Sequence, residues 1–394
     1  MTTANTVSSA HCVAADNGSS PGSQGPGPVK LYVHVPFCRS KCAYCDFYSN
    51  AQTRLVPEWL DMARREWQAL SQERLPDTIY IGGGTPSVLP RESLDRLIST
   101  FPVEGLREFT IEVNPEDVSR DFASHLAGFT PIDRVSMGIQ TFDDDSLRAL
   151  GRRHSSERAV EAFRSLRSAG IDNISCDLIY GLPDQTLGGW KDNLKRLIDL
   201  RPEHISCYLL SFEPHTRLGL MLSRGEVSET PEGLAEEMYA LLCELTREAG
   251  YEHYEISNFA LPGRRAIHNS AYWDGSDYLG LGPGAHSMID GKRWYNPSNL
   301  AAYLAAEPGK ARVFDEEDAA SRFNDVIITA LRTIDGLDTA RVPEEFKSRF
   351  NRDAARAVER GDLIASPTPS GSVRLTIPES RWLVADSILV DLIE

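Results

Sequence analysis

The chain has 394 residues, a formal net charge of −16 at neutral pH and a pI of about 5.1. An acidic surface repels nucleic acid phosphates and anionic lipid headgroups, so no nucleic acid partner is expected. No stretch approaches the roughly 20 apolar residues of a membrane span, so no transmembrane segment is expected either.

Residues 1–28 are rich in Ser, Gly, Pro and Ala and lack the basic start and apolar block of a secretory signal, so they predict a disordered tail. The chain has seven cysteines, an odd number spread thinly over its length. That usage is typical of a reducing compartment and predicts a cytoplasmic protein without disulfides.

From Lys30 onward, short β-branched segments alternate with longer amphipathic ones. This alternation predicts βα units and a parallel sheet, as either an open doubly wound sheet or an incomplete barrel. The strand candidates are KLYVHVPF, DTIYIGGG, EFTIEVN, RVSMGIQ, NISCDLIYG and HISCYLLSF.

Polar or glycine residues close most of these predicted strands. In both alternative folds, ligands bind at the carboxyl ends of the strands, so these residues are expected to converge on one site. They are Gly82 to Thr85, Glu112, Asn114, Gln140, Asp177, Ser211 and Glu213.

After about Tyr251 the alternation fades. YEHYEISNFALPG predicts a further strand, and HNSAYWDGSDYLGLGPGAHS predicts a loop region rich in glycine and aromatic residues. Helical patterns from Ser321 and a strand pair near SVRLTI then predict a compact accessory domain. The expected domains are 29–265 and 266–394, after the tail at 1–28.

Three cysteines, Cys38, Cys42 and Cys45, lie within eight residues directly after the first predicted strand. One interpretation is a zinc site, which usually needs four protein ligands, with His34 as the fourth. A second is three free thiols. A third is an iron–sulfur cluster in which one iron has no protein ligand and accepts an exchangeable one.

CRSKCAYC resembles the CxxxCxxC signature of the radical S-adenosylmethionine (SAM) enzymes. With YVHVPF before it and Asp46–Phe47 after it, the segment looks like the family of oxygen-independent coproporphyrinogen dehydrogenases and HemW-type heme chaperones. The resemblance runs from about Lys30 onward. It implies a [4Fe–4S] cluster at the three cysteines, with SAM on the open iron. It also implies a partial (β/α)6 TIM-like barrel with a small C-terminal α+β domain.

The same resemblance carries further cofactor-binding positions onto this chain. GGGTPS, from Gly82 to Ser87, matches the segment that receives the amino group of SAM, where glycine lets backbone approach a ligand closely. The positions implied are Tyr32, Gly83, Gly84, Thr85, Glu112, Gln140, Arg152 and Asp177. Asp177 alone would more simply be a helix cap or a buried, paired carboxylate.

Two features separate the relatives. The dehydrogenases have a further cysteine two positions after the third, and this chain has Phe47 there. HNSAYW, from His268 to Trp273, matches the HNxxYW motif of the heme chaperones. Imidazole is a common axial ligand of heme iron, so His268 is the expected heme ligand, with Tyr272 and Trp273 against the porphyrin and His286 as a weaker candidate ligand.

Three hypotheses follow. The first is a heme chaperone that hands heme to an acceptor protein the sequence does not identify. The second is a radical enzyme acting on coproporphyrinogen III or another tetrapyrrole, and the third is a metal-stabilised binding protein without either activity. Phe47 and HNSAYW favour the first. Cys176, Cys207 and Cys243 are expected to be small buried hydrophobes, and Cys12 lies in the tail.

Overall fold

The computed structural model describes residues 27–394, so Cys12 and nearly all of the predicted tail lie outside the described residues. All six predicted strands are present and pair in parallel with their neighbours. They are β1 Val29–Val35, β2 Pro76–Gly83, β3 Glu108–Val113, β4 Arg134–Gln140, β5 Ile174–Tyr180 and β6 His204–Leu209.

The six strands follow one another in the sheet in their chain order, β1-β2-β3-β4-β5-β6. A doubly wound sheet reverses its order at a switch point, whereas a barrel does not. The arrangement is therefore an incomplete barrel, as expected. The helices between these strands are α1 Val56–Leu70, α2 Arg91–Ile98, α3 Arg120–Phe129, α4 Asp144–Ala149, α5 Ser156–Ala169 and α6 Leu187–Leu200. Two more, α7 Arg217–Ser223 and α8 Glu232–Glu248, follow β6.

Local sequence explains where these helices begin and end, as α5 illustrates. The Ser155 side chain accepts a hydrogen bond from the Arg158 amide at the start of α5, which is the usual role of serine before a helix. Gly170 ends the helix with a φ of 99°, a conformation that glycine adopts without steric cost.

Further strands extend both edges of the sheet. On one edge a hairpin, β7 Glu252–Glu255 and β8 Asn258–Ala260, pairs antiparallel with β6. On the other edge β9 Tyr278–Leu281 pairs in parallel with β1, and β10 His286–Ile289, β11 Lys292–Tyr295 and β12 Val313–Phe314 continue the sheet antiparallel.

The segment from His268 to Ser287 was expected to be a loop, and that expectation is wrong. It contains α9 Ile267–Asp274 and the parallel strand β9. α9 ends at Gly275, which has a φ of 80°. YLGL is short and interrupted by glycine, which hides its strand character in the sequence.

The last part of the chain holds helices and a second sheet of three strands, which are β13 Leu337–Asp338, β14 Ile364–Pro367 and β15 Val373–Thr376. Their order in the sheet is β13-β15-β14. The small strand pair predicted near SVRLTI is present there. How the chain divides at residue 265 stays a prediction, although β9 to β12 lie beyond it and belong to the large sheet. The remaining α-helices are α10 Leu300–Ala305, α11 Ala319–Leu331, α12 Glu344–Arg360 and α13 Ala385–Val390.

In the described part of the chain, no helix is both long enough and apolar enough to cross a membrane.

A buried carboxylate on α1 joins the β9 edge to the barrel. Glu66 is almost fully buried. It accepts hydrogen bonds from the Gly282 amide at 3.0 Å, the Asn296 side chain at 2.8 Å and the Tyr303 hydroxyl at 2.6 Å. All three donors lie beyond residue 280, so one side chain of the first helix holds the turn after β9 and the start of α10.

Replacing Glu66 by alanine should lower the free energy of unfolding by about 2–3 kcal/mol, because it leaves several buried donors without an acceptor. Denaturant unfolding of the full chain measures the change. Glu58→Ala, at an exposed position of the same helix, is the control and should cost less than about 0.5 kcal/mol. Equal costs for the two variants would show that Glu66 does not anchor this edge.

Candidate functional site

A cavity of about 500 Å³ lies at the carboxyl ends of the barrel strands. Most of the residues that the sequence singles out line it, although they come from many separate segments. They are Cys38, Cys42, Cys45, Gly83, Gly84, Thr85, Glu112, Gln140, Arg152 and Asp177. The expected convergence of strand ends on one site is therefore observed.

The cysteine loop is held at both of its ends by backbone hydrogen bonds. The Cys38 amide donates to the Asn50 carbonyl at 3.2 Å, and the Asn50 amide donates to the Pro36 carbonyl at 2.6 Å. In the middle of the loop, the Ala43 amide donates to Leu150 at 2.9 Å. The three thiols are thus presented to the cavity by a braced backbone.

Polar side chains contact two of these thiols. The Thr85 hydroxyl lies 3.4 Å from the Cys38 Sγ, and an Arg152 Nη lies 3.6 Å from the Cys42 Sγ. Burial raises the pKa of Cys38, and it raises the pKa of Cys45 to about 11. These two groups are thiols at neutral pH when nothing is bound, so a metal must displace protons to bind them.

His34 does not belong to this set of ligands. Its Nε2 donates to the Tyr48 carbonyl at 2.9 Å, and its Nδ1 lies 3.1 Å from the Tyr32 hydroxyl. Burial lowers the pKa of His34 to about 4. Both ring nitrogens are therefore used within the protein, and the zinc interpretation loses its expected fourth ligand.

The glycine run at the end of β2 has a different physical reason from the one expected. A Cβ at Gly83 would lie 2.4 Å from the His34 ring, and one at Gly84 would lie 2.7 Å from the carbonyls of Val35 and Phe37. These glycines allow β2 to pack closely against the end of β1. A side chain there would disturb the fold before it reached a ligand.

Arg152 organises the polar wall of the cavity. One Nη donates to the Asn114 side chain and to the Gly138 carbonyl, each at 2.7 Å. Asn114 in turn donates to the Thr85 hydroxyl at 3.2 Å. Gln140 follows an irregularity in the β4 pairing and has a φ of 68°, a conformation that costs energy outside glycine and recurs at functional sites.

Two carboxyl groups face the cavity from β3 and β5. Burial raises the pKa of Glu112 to about 7, although the Tyr80 hydroxyl and the Gly83 amide donate to it at 2.8 and 3.1 Å. Burial also raises the pKa of Asp177, whose oxygens accept from Ser136 at 3.2 and 3.3 Å. Asp177 is thus not a helix cap. Glu112, with a pKa of about 7, can accept or donate a hydrogen bond near neutral pH.

His268 lies on α9, which borders the cavity through its neighbour Asn269. The ring is completely buried, with Nδ1 2.8 Å from the Thr78 hydroxyl and Nε2 3.1 Å from the Tyr272 hydroxyl. Burial lowers its pKa to about 3. Heme ligation by His268 stays a prediction, and in this geometry it requires at least one of these contacts to break, because iron binds a single ring nitrogen.

Two further predicted residues lie outside the cavity wall. Tyr32 is partly exposed, bonds to His34, and lies beside Tyr80 with ring centroids 6.1 Å apart. His286 is exposed on β10 and stacks on Tyr295. Other residues that line the cavity were not predicted from the sequence, chiefly Tyr80, Arg134, Ser136, Ser206 and Asn269. The alternation of side chains along β2 to β6 was the signal for most of them.

The chemistry of the donor set fits a [4Fe–4S] cluster with one open iron. Three thiols border the cavity, and no fourth cysteine among residues 27–394 lines it. Such clusters are held by cysteine thiolates, usually four of them. The cavity beside the thiols supplies both hydrogen-bond donors and hydrogen-bond acceptors. This combination suits the amino and carboxylate groups of an amino acid ligand such as the methionyl part of SAM.

Comparisons with known proteins identify the fold. Residues 32–197 match the model of the radical SAM superfamily. The fold resembles that of coproporphyrinogen III oxidase (HemN) from Escherichia coli, a radical SAM enzyme, with a TM-score of 0.77 over 94% of this chain and 91% of that chain. Sequence identity is 22%. The chain thus has the fold of a radical SAM protein of the HemN type.

The sequence relatives are more specific. The chain is 35% identical to the heme chaperone HemW of Lactococcus lactis, over 82% of this chain and 87% of the relative. It is also 35% identical to HemW of Mycobacterium tuberculosis, over 92% and 95% of the two chains. The chain belongs to the HemW family.

The raised pKa of Glu112 predicts a pH dependence of stability. The folded state holds this proton more tightly than the unfolded state, so the stabilisation is fully present below about pH 4.5 and is lost as the pH rises through about 7. Glu112→Gln should reduce the fall in unfolding free energy between pH 5 and pH 7.5 by about 2 kcal/mol. Denaturant unfolding of the metal-free chain at both values measures it.

The control for this experiment is Glu92→Gln, which changes an exposed glutamate on α2 and should keep the parent's pH dependence. If Glu112→Gln and Glu92→Gln give the same profile as the parent, Glu112 is not protonated in the folded protein.

Proposed function

We propose that this protein is a heme chaperone that binds heme and passes it to an acceptor protein, in the cytoplasm, on a radical SAM scaffold. Its similarity to the HemW heme chaperones supports this function. Phe47 also supports it, because it stands at the cavity where the dehydrogenase signature has an additional cysteine. No nucleic acid partner is part of the proposal, since the chain carries a net charge of −16.

Cys38, Cys42 and Cys45 are proposed to hold a [4Fe–4S] cluster. The residues proposed to hold SAM on its open iron are Gly83, Gly84, Thr85, Glu112, Gln140, Arg152 and Asp177. Tyr32 is proposed to assist them through its contacts with His34 and Tyr80. When bound, this pair supplies radical and one-electron chemistry. The chain's own part is placement: Arg152 fixes Asn114 and Thr85 against the thiols through hydrogen bonds of 2.7 and 3.2 Å.

Anaerobic reconstitution should give about four irons and four sulfides per chain. Cys42→Ala should lose the cluster's broad visible absorbance, because two thiolates do not retain it. Cys176→Ala, at a buried position on β5, is the matched control and should keep full iron content. Iron retained in single alanine variants of all three loop cysteines would rule out this ligand set.

The mouth of the cavity suits a large, flat, apolar molecule. Phe47 is 67% exposed, and Tyr208 and Leu209 are each 45% exposed, yet all three line the same cavity. Exposed apolar side chains that cluster at a cavity indicate a binding surface, whereas single exposed apolar side chains do not. We propose that the porphyrin lies on these three side chains.

His268 is proposed as the iron ligand, reached only after α9 moves. In the structure Thr78 and Tyr272 occupy its two ring nitrogens. A protein whose binding-competent state is sparsely populated binds with reduced apparent affinity. Heme must therefore compete with the two hydroxyls for the imidazole.

This competition predicts opposite effects for two substitutions. Thr78→Val should tighten heme binding, because it frees Nδ1 while keeping the shape of the side chain, and His268→Ala should abolish or greatly weaken the Soret shift. Phe47→Ser should weaken binding without changing the Soret position. A spectroscopic heme titration of the reconstituted protein measures all three.

Cluster content is the control for these variants, since none of them removes a thiol. Heme binding by His268→Ala that equals the parent's would exclude this ligand. In that case Thr78→Val should also have no effect.

The alternative function is a radical enzyme that acts on coproporphyrinogen III. It shares the cluster and the cofactor site, so the two functions differ in turnover and not in binding. Formation of protoporphyrinogen IX by the reconstituted protein with reductant and SAM would favour the enzyme over the chaperone.

A further inference from the structure

A second group of chemically active side chains lies outside the candidate site, where α8, β7 and the segment after β15 meet. Cys243 comes from α8, His253 from β7 and Glu379 from the residues after β15. They border a cavity of about 300 Å³. Cys243 was expected to be only a small buried hydrophobe, and its neighbours make that interpretation incomplete.

The donor atoms of these three residues converge on one point. The Cys243 Sγ lies 3.7 Å from the His253 Nδ1, and a Glu379 Oε lies 2.9 Å from the same nitrogen. All three donor atoms lie within 4.8 Å of one another. Among the residues that the structure describes, this is the one group of three or more such side chains that meets this distance.

The geometry does not suit a nucleophile–base relay. In such a relay the cysteine and the carboxylate contact opposite nitrogens of the imidazole. One nitrogen accepts the proton of the thiol, and the other donates its N–H to the carboxylate, which holds the ring in place. Here both contact Nδ1. A ring nitrogen offers a single hydrogen or a single lone pair, so it cannot satisfy both neighbours. A cation bound by that lone pair would satisfy all three groups at once.

The surrounding contacts are those that orient metal ligands. The other His253 nitrogen lies 3.5 Å from the Ile256 carbonyl, and the other Glu379 oxygen accepts from Arg247 at 2.8 Å. Metal-bound histidine usually donates its free N–H to a carbonyl or carboxylate, and ligating carboxylates are themselves hydrogen-bonded. The Trp382 ring packs edge-on against His253, with centroids 4.4 Å apart, and limits its rotation.

We propose that Cys243, His253 and Glu379 form a binding site for a zinc-class divalent ion, with a fourth position open to the cavity. Thiolate, imidazole and carboxylate together suit zinc, which takes each of these ligands in tetrahedral sites. Tetrahedral zinc would separate sulfur from nitrogen by about 3.6 Å and nitrogen from oxygen by about 3.4 Å. The observed 3.7 and 2.9 Å therefore need only a small opening of the Glu379 contact.

Occupation of this site would tie the end of the chain to the barrel. His253 lies on β7 at the edge of the large sheet and Cys243 on α8 beside it, whereas Glu379 lies 126 residues after His253 and leads into α13. Glu379 is 39% exposed, so the ion can be reached from solvent. The site would thus act as a metal-dependent clasp on the C-terminal segment, independent of the cluster.

The test uses the full chain with Cys12, Cys38, Cys42 and Cys45 replaced by alanine, so that neither the three cluster thiols nor the thiol at position 12 competes. Titration with Co²⁺ should give a thiolate-to-cobalt charge-transfer band that saturates at about one equivalent, and Zn²⁺ should displace it. Cys243→Ala should remove the band. Glu379→Gln should weaken binding about tenfold or more, because an amide is a poorer ligand than a carboxylate.

Two controls keep the outcome clear. Cys207→Ala, which removes another buried cysteine on β6, should leave the titration unchanged. In the cluster-loaded parent, Cys243→Ala should lower the zinc content by about one per chain and leave the iron content unchanged. A chain that gives no thiolate band, or whose band survives Cys243→Ala, would overturn the proposal and leave a plain hydrogen-bonded group.

Discussion

The position of α9 depends on one buried carboxylate, and the candidate site depends on α9. Glu108, on β3, is almost completely buried inside the half barrel. Its oxygens accept from the amides of Ile267 and His268 at 2.9 and 3.0 Å, and the Arg134 guanidinium lies 4.0 Å away. A buried charge is costly unless it is paired and hydrogen-bonded. The first amides of a helix supply such bonds and a favourable dipole.

This contact closes a barrel that lacks a full ring of strands. The concave face of β2 to β5 carries polar side chains that cannot be left in an empty interior, among them Thr78, Tyr80, Glu108 and Arg134. α9 fills part of this space and bonds to Thr78 as well as to Glu108. The cavity that remains beside α9 is the candidate site, and the helix contributes Asn269 to its lining.

The sequence predicts the parts of this arrangement that depend on local pattern. Six strands, the cysteine loop after the first and the polar strand ends all follow from periodicity and spacing. What it does not reveal are pairings between distant residues. Glu108 and His268 are 160 positions apart, and Cys243 meets a glutamate in the last part of the chain. α9 carries no clear apolar stripe, because its neighbours on several sides are polar groups of the barrel interior.

The same helix explains how a buried histidine and an open cavity can belong to one function. Consecutive residues of an α-helix differ in direction by about 100°. Asn269 therefore faces the cavity while His268, the residue before it, faces Thr78 and Tyr80. A turn of the helix by about one residue would bring the imidazole to the direction that Asn269 now has, toward the cavity, and would move Asn269 on to the direction of Ser270. Such a turn would break the hydrogen bonds that the Ile267 and His268 amides donate to Glu108. These hydrogen bonds position α9, and they therefore also set the free-energy cost of presenting His268 to heme.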